Sequence, residues 1–558
     1  MFRDFTGAFV DRHDGVADLV FSEFAEDIRA VFEHRLDDMG CFVESGVGNL
    51  FGGEDGEGLD DEGLFVEWLE VEAFAKFLGD RGDLGGRGFF TETDGGGDKD
   101  DGGEQDKSFH LEISKEKDLR WGILFYAMNR RSLLKKSALF GAPFVLPSNV
   151  WGADANGKVN VGFIGMGKRS QGLIREFFRQ PEVRIVAVCD VDTNRREDAK
   201  KKVDAHYKTN DCAAHLDFRK ITTDPAIDVV VVVTPDHWHT IQILSAIENG
   251  KDVYAEKPLT HNIRESVLLM EAVKKSGRIV QTGSQQRSSR EFRVACELAR
   301  NGVIGKIDHG FVNFGGPGKP CDLPEEKAEP GLDWDLWLGP APERAYNSIL
   351  APRGVHSHYP MWRMYTEYGG GMITDWGAHH LDIVQWALGK DESGPTAAKP
   401  PAKQGEGKGA AVVYDDITIT HGQGIGVHLV GANGEIQVTR GKFALKVDGK
   451  NVASHLKKGG KLGAELDKAE EAYLTDSKVK LYRSPGHVRD FLDCIKSRKQ
   501  PITSAIIGSR SINVAHLMNL AYQHHTDIAW DPIKNTFAKG AKHPLEWLGR
   551  SYRDKWKI

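Results

Sequence analysis

Two polar side chains in the second half of the chain are spaced so that both could act on one molecule. Asp375 and His379 are four positions apart within the stretch Gly369–Asp382. On a helix, side chains at that spacing lie one turn apart on the same face. A histidine titrates near neutral pH, so it can take up a proton during a reaction. A pair of this kind standing alone is more often a surface or core feature, so it needs support from other residues.

Closely spaced glycines follow a short apolar run nearer the middle of the chain. The run Val159–Ile164 predicts a buried strand, and the pattern from Leu173 onward predicts a helix. Gly165 permits a tight turn, and Gly167 has no side chain to keep a phosphate away. A helix N-terminus offers free N–H groups and a positive dipole end to an anion. The stretch therefore indicates a dinucleotide site, with Ser170 standing where a third glycine is usual.

An acidic residue stands at the end of the next predicted strand. That strand covers Arg184–Cys189, and Asp190 follows it directly. An acid about 20 residues beyond the glycines can accept hydrogen bonds from the adenosine ribose hydroxyls. Asp190 therefore favours NAD as the cofactor. NADP remains the alternative, because Arg195 and Arg196 are close enough in sequence to accommodate its 2′-phosphate.

Strand and helix patterns alternate over residues 156–282. The segment Ile227–Val233 is β-branched almost throughout, which is typical of a central parallel strand covered on both faces. Further strands are predicted at Asp252–Ala255 and Arg278–Thr282. The alternation predicts a doubly wound α/β domain, in which ligands bind at the carboxyl ends of the strands.

Two short motifs lie where these strands end. Thr234-Pro235-Asp236-His237-Trp238-His239 follows the valine-rich strand, and Ala255-Glu256-Lys257-Pro258-Leu259 follows the next one. With the glycine turn and the D-x-x-x-H pattern of Asp375 and His379, they resemble the Gfo/Idh/MocA family of NAD(P)-dependent oxidoreductases, which includes glucose–fructose oxidoreductase and inositol dehydrogenase. The resemblance covers residues 158–558. It implies an N-terminal Rossmann domain with a doubly wound parallel sheet, and a C-terminal α+β domain with an open, mainly antiparallel sheet.

The resemblance also implies roles for individual residues. Lys257 would reach the substrate hydroxyl and the nicotinamide, across a Lys-Pro bond that is often cis in the family. His379 would take the proton of the oxidised hydroxyl, and Asp375 would orient it or bind a neighbouring hydroxyl. A lysine cation suits a developing alkoxide, while the cofactor accepts the hydride. The predicted catalytic residues are Lys257, Asp375 and His379. The predicted cofactor-binding residues are Gly165, Met166, Gly167, Lys168, Arg169, Asp190, Thr234, Pro235, His239, Glu256 and Lys257.

Residues 283–558 are expected to form the substrate-binding and oligomerisation domain, together with a C-terminal tail. His356, His358 and His380 could line the same pocket as His379. No metal site is predicted, because these histidines lack a carboxylate at a supporting spacing. Aromatic residues in the segments 334–340 and 359–363 suit the faces of a sugar, and they suit a core equally well.

The remaining composition separates the chain into unlike parts. Residues 1–127 hold 32 acidic and 12 basic side chains, whereas the rest of the chain holds 49 and 61. The acidic, glycine-rich part cannot bury enough apolar surface to offset its ordering entropy, so disorder is predicted there. The basic excess elsewhere is dispersed, which argues against nucleic-acid binding. The six cysteines are far apart, without a C-x-x-C pair, which argues against a zinc knuckle or a dense disulfide framework.

Residues 128–155 resemble an export signal. Met128-Asn129-Arg130-Arg131 begins a basic stretch, an apolar run follows, and Ala153-Asp154-Ala155 provides a small-x-small cleavage pattern. The two arginines resemble the Tat class, and the apolar run is too short to span a bilayer stably. Because export signals act at a chain start, translation is expected to begin at Met128, with a periplasmic or secreted product. The alternative is a basic amphipathic linker in a cytoplasmic protein.

Three functions fit these residues. The leading prediction is an oxidoreductase that transfers hydride from a hydroxyl of a sugar or cyclitol to NAD(P), in a homo-oligomer. A second is a glycoside hydrolase that uses NAD as a recycled cofactor, through transient oxidation and elimination. A third is a non-catalytic ligand-binding member of the same fold. Net accumulation of NADH distinguishes the first from the second.

Overall fold

The computed structural model describes residues 62–65, 107–112, 122–129, 157–422, 424–457 and 461–558. The chain divides into two compact units, residues 1–147 and 148–558. In the first unit, strands β1 (Glu62–Phe65), β2 (Lys107–Glu112) and β3 (Gly122–Asn129) form an antiparallel sheet in the order β1-β3-β2. The rest of the segment predicted to be disordered, and the predicted export signal beyond Asn129, lie outside the described residues.

The second unit begins with a parallel sheet of six strands. They are β4 (Val159–Ile164), β5 (Val183–Cys189), β6 (Ala213–His215), β7 (Val229–Val232), β8 (Asp252–Ala255) and β9 (Val280–Thr282). Their order is β6-β5-β4-β7-β8-β9, and every neighbouring pair is parallel. The connecting helices are α1 (Lys168–Phe178), α2 (Thr193–Tyr207), α3 (Arg219–Thr222), α4 (His239–Glu248) and α5 (Ile263–Ser276). This is the predicted Rossmann domain, and the strand order reverses between β4 and β7.

The sequence explains why these elements form. The four valines of β7 are all buried, as expected of a central strand with helices on both faces. Helix α2 starts at Asp192, whose side chain accepts hydrogen bonds from the amides of Asn194 and Arg195. Helix α5 starts in the same way at Asn262 and ends at Gly277, which has a positive φ of 61°. These capping residues fix where each helix meets the sheet.

The later part of the chain forms a sheet of ten strands, nearly all antiparallel. The strands are β10 (Ile307–Val312), β11 (Ala397–Lys399), β12 (Ala411–Tyr414), β13 (Ile417–His421), β14 (Val427–Gly431), β15 (Gly434–Thr439), β16 (Lys442–Val447), β17 (Lys450–His455), β18 (Ile528–Asp531) and β19 (Thr536–Phe537). Their order is β17-β16-β15-β14-β10-β13-β12-β11-β18-β19, and among the described strands of this sheet only β10 and β13 pair in parallel. The predicted fold class is confirmed.

The described residues of this part of the chain also form helices, several of which pack against the sheet. They are α6 (Arg290–Arg300), α7 (Trp334–Leu338), α8 (Gly371–Asp375), α9 (Gly377–Leu388), α10 (Leu462–Tyr473), α11 (His487–Ser497) and α12 (Ala505–His524). Short 3₁₀ turns occur at Asp236–Trp238, Gln285–Ser288, Met361–Met364, Leu545–Leu548 and Asp554–Trp556. Helix α12 packs against α9 and against α5 of the Rossmann domain, so it contacts both domains. Within the described ranges, no helix combines the length and apolar character needed to cross a membrane.

The predicted boundary at residue 282 does not divide the cores cleanly. Val488, Phe491 and Leu492 of helix α11 pack into the core of the Rossmann domain, beside β4 and β5. Trp556, in the C-terminal tail, packs against Phe218 and Trp238 of the same domain. The chain thus returns to its first domain after completing most of the second, which periodicity in a single sequence does not reveal.

Candidate active site

The glycine turn after β4 depends on two glycines for different reasons. Gly165 has a φ of +92°, and a Cβ there would lie 2.7 Å from the carbonyl of Val233. Gly167 is the N-cap of α1, has a φ of −75°, and has open space where its Cβ would point. Gly165 therefore allows the backbones to approach closely, whereas Gly167 leaves room for a ligand. Ser170 fits in place of a third glycine, because its hydroxyl is buried against the turn and donates to the carbonyl of Gly167 at 2.7 Å.

Asp190 lies at the carboxyl end of β5, beside the glycine turn. Its carboxylate accepts hydrogen bonds from the amide of Met166 (2.7 Å) and that of Asp192 (2.8 Å). Burial raises the pKa of Asp190, and the charge of Arg195 and the two amides oppose that rise. Its carboxylate oxygens retain further lone pairs that ribose hydroxyls could use. Met166 therefore contributes through its backbone, since its side chain is buried.

The two arginines considered for a 2′-phosphate are engaged elsewhere. Arg195 donates to the carbonyls of Pro352 and Gly354 and lies 3.2 Å from His356 Nε2. Arg196 donates to the carbonyl of Asp190 at 2.8 Å. Arg195 thus holds the segment around Pro352 in place, which sequence spacing alone did not indicate.

A groove runs along the carboxyl ends of these strands. Its Rossmann side holds seven of the predicted cofactor residues: Gly165, Gly167, Lys168, Arg169, Asp190, Thr234 and Pro235. Its other side comes from the later segment 336–363, with Trp337, Tyr359, Trp362 and Arg363 among the lining residues. The open space at Gly167, the free amides at the start of α1 and the acid at the end of β5 fit a dinucleotide.

His239 does not line the groove. Its ring nitrogens lie 2.7 Å from the carbonyl of Pro258 and 2.9 Å from the carbonyl of Thr234. The side chain is buried, so it ties together the two motifs that follow β7 and β8. Its predicted contact with the cofactor is replaced here by a positioning contact.

Lys257 connects the two domains. The Lys257–Pro258 bond is cis. Lys257 Nζ donates to Asp375 Oδ1 at 2.7 Å and to the Asp375 carbonyl at 2.9 Å. Burial would raise the pKa of Asp375, but the charges of Lys257 and Arg363 outweigh it, and the pKa is lowered. The carboxylate therefore stays ionised and holds the lysine at the cleft.

His379 is one turn beyond this pair, at the start of α9. Trp376 separates α8 from α9, and its carbonyl accepts the amide of His379 at 3.0 Å, so the chain stays nearly helical across the join. The ring is buried, and its Nδ1 has no hydrogen-bond partner among the described residues. Burial and the charge of Lys257 lower the pKa of His379 well below its usual value. The histidine is therefore neutral, which is the protonation state that a general base requires.

Asp375 does not orient His379 as one reading of the sequence expected. Within residues 157–422 its carboxylate is bonded to Lys257 and lies 3.4 Å from Arg363 Nε, without a hydrogen bond to the histidine. Arg363 is itself stacked on Trp362, with its guanidinium carbon 4.2 Å from the ring centre. Arg363 was not among the predicted site residues, although the aromatic segment that holds it was noted.

Two further cleft residues escaped prediction. Asp236 is buried with its carboxyl against Gly369, and burial, together with the nearby Asp375, raises its pKa to about 8. Arg440, in the turn between β15 and β16, lies over the ring of Trp376 at 4.6 Å. Asp236 belongs to the motif that follows the valine-rich strand, so the sequence offered a signal for its place at the cleft. Arg440 had none, because its turn is distant in sequence from every motif.

Arg169 and Glu256 form a second ion pair, within the Rossmann domain. Arg169 Nε donates to Glu256 Oε1 at 2.7 Å. Burial opposes ionisation, yet the Glu256 carboxylate raises the pKa of Arg169. Glu256 also lies against Gly283, where an added Cβ would come within 2.9 Å of its carboxyl group. Glu256 therefore holds the guanidinium of Arg169 in place beside the glycine turn.

The other histidines are divided between two places. His356 lines the groove and stacks on His358, with ring centres 4.3 Å apart. His380 points away, with Nδ1 2.9 Å from the carbonyl of Asn313, and burial lowers its pKa to about 4. Among the described residues, no group of three or more His, Cys, Asp or Glu side chains is arranged to hold a metal ion.

The parallel sheet, the glycine turn and the groove define an NAD-binding oxidoreductase. A model of the oxidoreductase family's NAD-binding Rossmann fold matches residues 159–284, and one of its C-terminal alpha/beta domain matches residues 314–558. Together they cover most of the chain. The chain belongs to the Gfo/Idh/MocA oxidoreductase family. The predicted family, enzyme class and NAD cofactor are therefore confirmed.

Curated relatives resemble only part of the chain. A glycosyl hydrolase family 109 protein of Saccharopolyspora erythraea is 31% identical over 205 residues, which is 33% of this chain and 44% of the relative. An alpha-N-acetylgalactosaminidase of Shewanella oneidensis is 28% identical over 163 residues, 28% of this chain and 35% of the relative. The chain thus spans less than half the length of the curated relatives that it matches.

Among solved structures, an aldose-aldose oxidoreductase from Caulobacter crescentus complexed with glycerol is similar. It is 17% identical, with a TM-score of 0.46, and the match covers 67% of this chain and 100% of that chain.

Proposed function

We propose that this protein oxidises a hydroxyl of a sugar or cyclitol by transferring hydride to NAD(P). The observation that carries the proposal is the ion pair between Lys257 and Asp375, which lies beside the groove residue Arg363 and one turn from the buried His379. A bound nicotinamide supplies the hydride acceptor. The chain must then supply a base for the hydroxyl proton and a cation for the developing alkoxide.

Those two tasks fall to different side chains. His379 is neutral, so it can accept the hydroxyl proton, and its Nδ1 is not committed to another described residue. Lys257 carries the cation, and Asp375 fixes its position through a bond of 2.7 Å. A positioned cation stabilises an alkoxide more effectively in a partly dry site than in water. The role of Asp375 is therefore to position Lys257.

The direct test uses the full chain with NAD, NADP and a panel of sugars and cyclitols. Accumulation of NADH or NADPH with a hydroxyl substrate is the expected result. Mass spectrometry of nucleotide released from the purified protein would show which dinucleotide it retains. A panel that yields no reduced cofactor and no chemical change in any sugar would contradict oxidation and favour the non-catalytic alternative.

A glycoside hydrolase with a recycled cofactor is the second candidate. The matched curated relatives bear glycosidase names, which favours this candidate over other uses of the fold. The same Lys257 and His379 would serve an oxidation that is later reversed. Nitrophenyl glycosides incubated with catalytic NAD in deuterium oxide separate the two functions. Release of nitrophenol without NADH, together with deuterium beside the oxidised carbon, would select the hydrolase.

We also propose export by a Tat-type route to the periplasm or outside the cell. The support is the twin-arginine, apolar and small-x-small pattern of residues 128–155. That route carries folded proteins, which suits an enzyme that binds its cofactor before export. Replacing Arg130 and Arg131 together by lysine should retain the protein inside the cell. Unchanged secretion of that variant would contradict the proposal.

We further propose that the protein is a homo-oligomer. The family resemblance supports this, and burial alternates along β14 to β16, so one face of the ten-stranded sheet stays half-exposed. Light scattering of the purified chain tests the proposal, and a monomer at micromolar concentration would contradict it.

A further inference from the structure

The cleft around Lys257 and His379 holds more positive than negative charge. Lys257 is paired with Asp375, and Arg169 is paired with Glu256. Arg363 shares the carboxylate of Asp375, from which its Nε is 3.4 Å away. An excess of cations along one cleft raises the local concentration of anions there, so uneven pairing at the site points to an anionic ligand.

Arg440 is the cation of this cleft that has no carboxylate partner of its own among the described residues. Within the part of the chain that the structure describes, no carboxylate lies within ion-pair distance of its guanidinium. Burial and the charge of nearby Arg169 both lower the pKa of Arg440. Asp236 does not offset this charge, because its raised pKa leaves it protonated at neutral pH. Lys257 and Arg363 thus share the carboxylate of Asp375, and Arg440 is not paired with a carboxylate among the described residues.

The structure holds Arg440 at the cleft. Its guanidinium carbon lies 4.6 Å from the ring centre of Trp376, which separates the two helices that carry Asp375 and His379. With the Gln286 amide in the orientation that satisfies both of its ends, the oxygen accepts from Arg440 Nε at 3.2 Å and the nitrogen donates to the His379 carbonyl at 3.1 Å. Arg440 is therefore linked through one side chain to the proposed base.

The turn that carries Arg440 is fixed as well. Gly441 has a φ of +68°, a conformation that favours glycine, and its amide donates to Glu291 of helix α6 at 3.3 Å. The stem of Arg440 rests on an aromatic ring while the residue remains exposed. Gln286 binds only Nε, and among the described residues no hydrogen bond engages the terminal nitrogens of Arg440, so these can meet an incoming acceptor.

We infer that Arg440 binds a carboxylate on the substrate, so that the substrate is a sugar acid or cyclitol acid and not a neutral polyol. The inference rests on the proposed function, because it concerns the substrate of that same site. A guanidinium pairs with a planar carboxylate through two parallel hydrogen bonds, a geometry that a hydroxyl cannot match. The carboxylate would supply the counterion that the described side chains do not.

The cofactor carries a second anionic group that could bind Arg440. Arg169 belongs to the glycine turn, and its charge is felt at Arg440, so the pyrophosphate of the cofactor is the competing source of negative charge. The two sources predict different binding defects for a variant that lacks Arg440. If the substrate provides the anion, the loss of Arg440 weakens sugar-acid binding alone. If the cofactor provides it, the loss weakens NAD binding.

The experiment uses the full chain saturated with NAD and matched pairs of sugars. Each pair is a hexuronic acid and its primary amide, in the gluco, galacto and manno configurations. The amide keeps the shape and removes the charge. Binding is followed by calorimetry and by tryptophan fluorescence, to which Trp376 beneath Arg440 contributes. The expected result is that one acid binds about tenfold or more tightly than its amide.

Arg440→Gln should reduce that ratio to near one and leave the Kd for NAD within about twofold. Arg440→Lys should keep part of the preference, since it retains charge but loses the bidentate geometry. Lys442→Gln is the matched control, because it removes one positive charge from the same hairpin and should leave the ratio unchanged. Thermal unfolding of each variant checks that the fold is intact.

Three results would overturn the inference. Equal binding of acid and amide in every pair is one, and weaker NAD binding in Arg440→Gln with an unchanged sugar ratio is another. The third is binding or oxidation of neutral polyols alone. In each case NADH formation from a neutral substrate would leave the proposed oxidation standing, whereas absence of hydride transfer from any hydroxyl would contradict that proposal instead.

Discussion

The two ends of the cleft are built in different ways. At the cofactor end, the lining groups come from neighbouring parts of one domain, with the backbone at Gly165 and Gly167 and the carboxylate of Asp190 all within one β-α-β unit. At the substrate end, side chains from distant parts of the chain converge, and Lys257 meets Asp375 118 positions later in the sequence. The cofactor end therefore depends on local backbone conformation, whereas the substrate end depends on how distant segments pack.

The largest effect is expected from Lys257→Ala. Removing the cation should lower kcat by roughly a hundredfold to a thousandfold, as for the loss of one stabilising donor at a developing oxyanion. The Kd for NAD should change little, because the glycine turn is untouched. Lys274→Ala, on the exposed face of α5, is the control for loss of a lysine. Unchanged hydride transfer in Lys257→Ala would remove this residue from the mechanism.

Two alanine substitutions should separate stability from cofactor binding within the glycine turn. Gly165→Ala adds a Cβ at a φ of +92° and 2.7 Å from the Val233 backbone, so the free energy of unfolding should fall by roughly 2 kcal/mol or more. Gly167→Ala meets open space, so stability should hold while NAD binding weakens by roughly tenfold. Denaturant titrations and NAD calorimetry measure both. Equal loss of stability in the two variants would contradict the distinction.

Asp236→Asn tests the electrostatics of the substrate end. The pKa of Asp236 is raised to about 8 from an ordinary value near 3.8, so between these values the folded state holds a proton that the unfolded state has released. Stability therefore falls as pH rises through that window, by up to about 1.4 kcal/mol per pH unit. Asparagine removes this slope. From about pH 5 to about pH 8, the melting temperature of the variant should rise relative to that of the wild type. Melting temperatures that change in parallel with pH would refute the assignment.

The smallest effect is expected from Ser170→Gly, which restores the third glycine of the usual fingerprint. The variant loses the hydrogen bond to the Gly167 carbonyl and places a glycine in the first turn of a helix, so it should be destabilised by about 1 kcal/mol. NAD affinity should stay within about threefold, because the groove-facing amides remain. A large gain in NAD affinity would mean that Ser170 obstructs the cofactor.

Much of the cofactor end could be predicted from the sequence because its determinants are local. A strand, a glycine turn and an acid in fixed order constrain each other over about 30 residues, and the structure places Gly165, Gly167 and Asp190 together as expected. His239 was assigned to the cofactor because it shares a motif with Thr234. The structure turns its ring into the core instead, since a motif gives position along the chain and not the direction of each side chain.

The sequence by itself determined the family and the fold class, and it predicted Lys257, Asp375 and His379 as site residues, because spacing and residue type carry that information. Only the tertiary structure decided what those residues touch. It bonded Asp375 to Lys257 and not to His379, returned helix α11 to the first domain, and brought Arg440 over Trp376 from a turn with no motif. Contacts between distant segments depend on how two sheets pack around α12, and no local pattern encodes that packing.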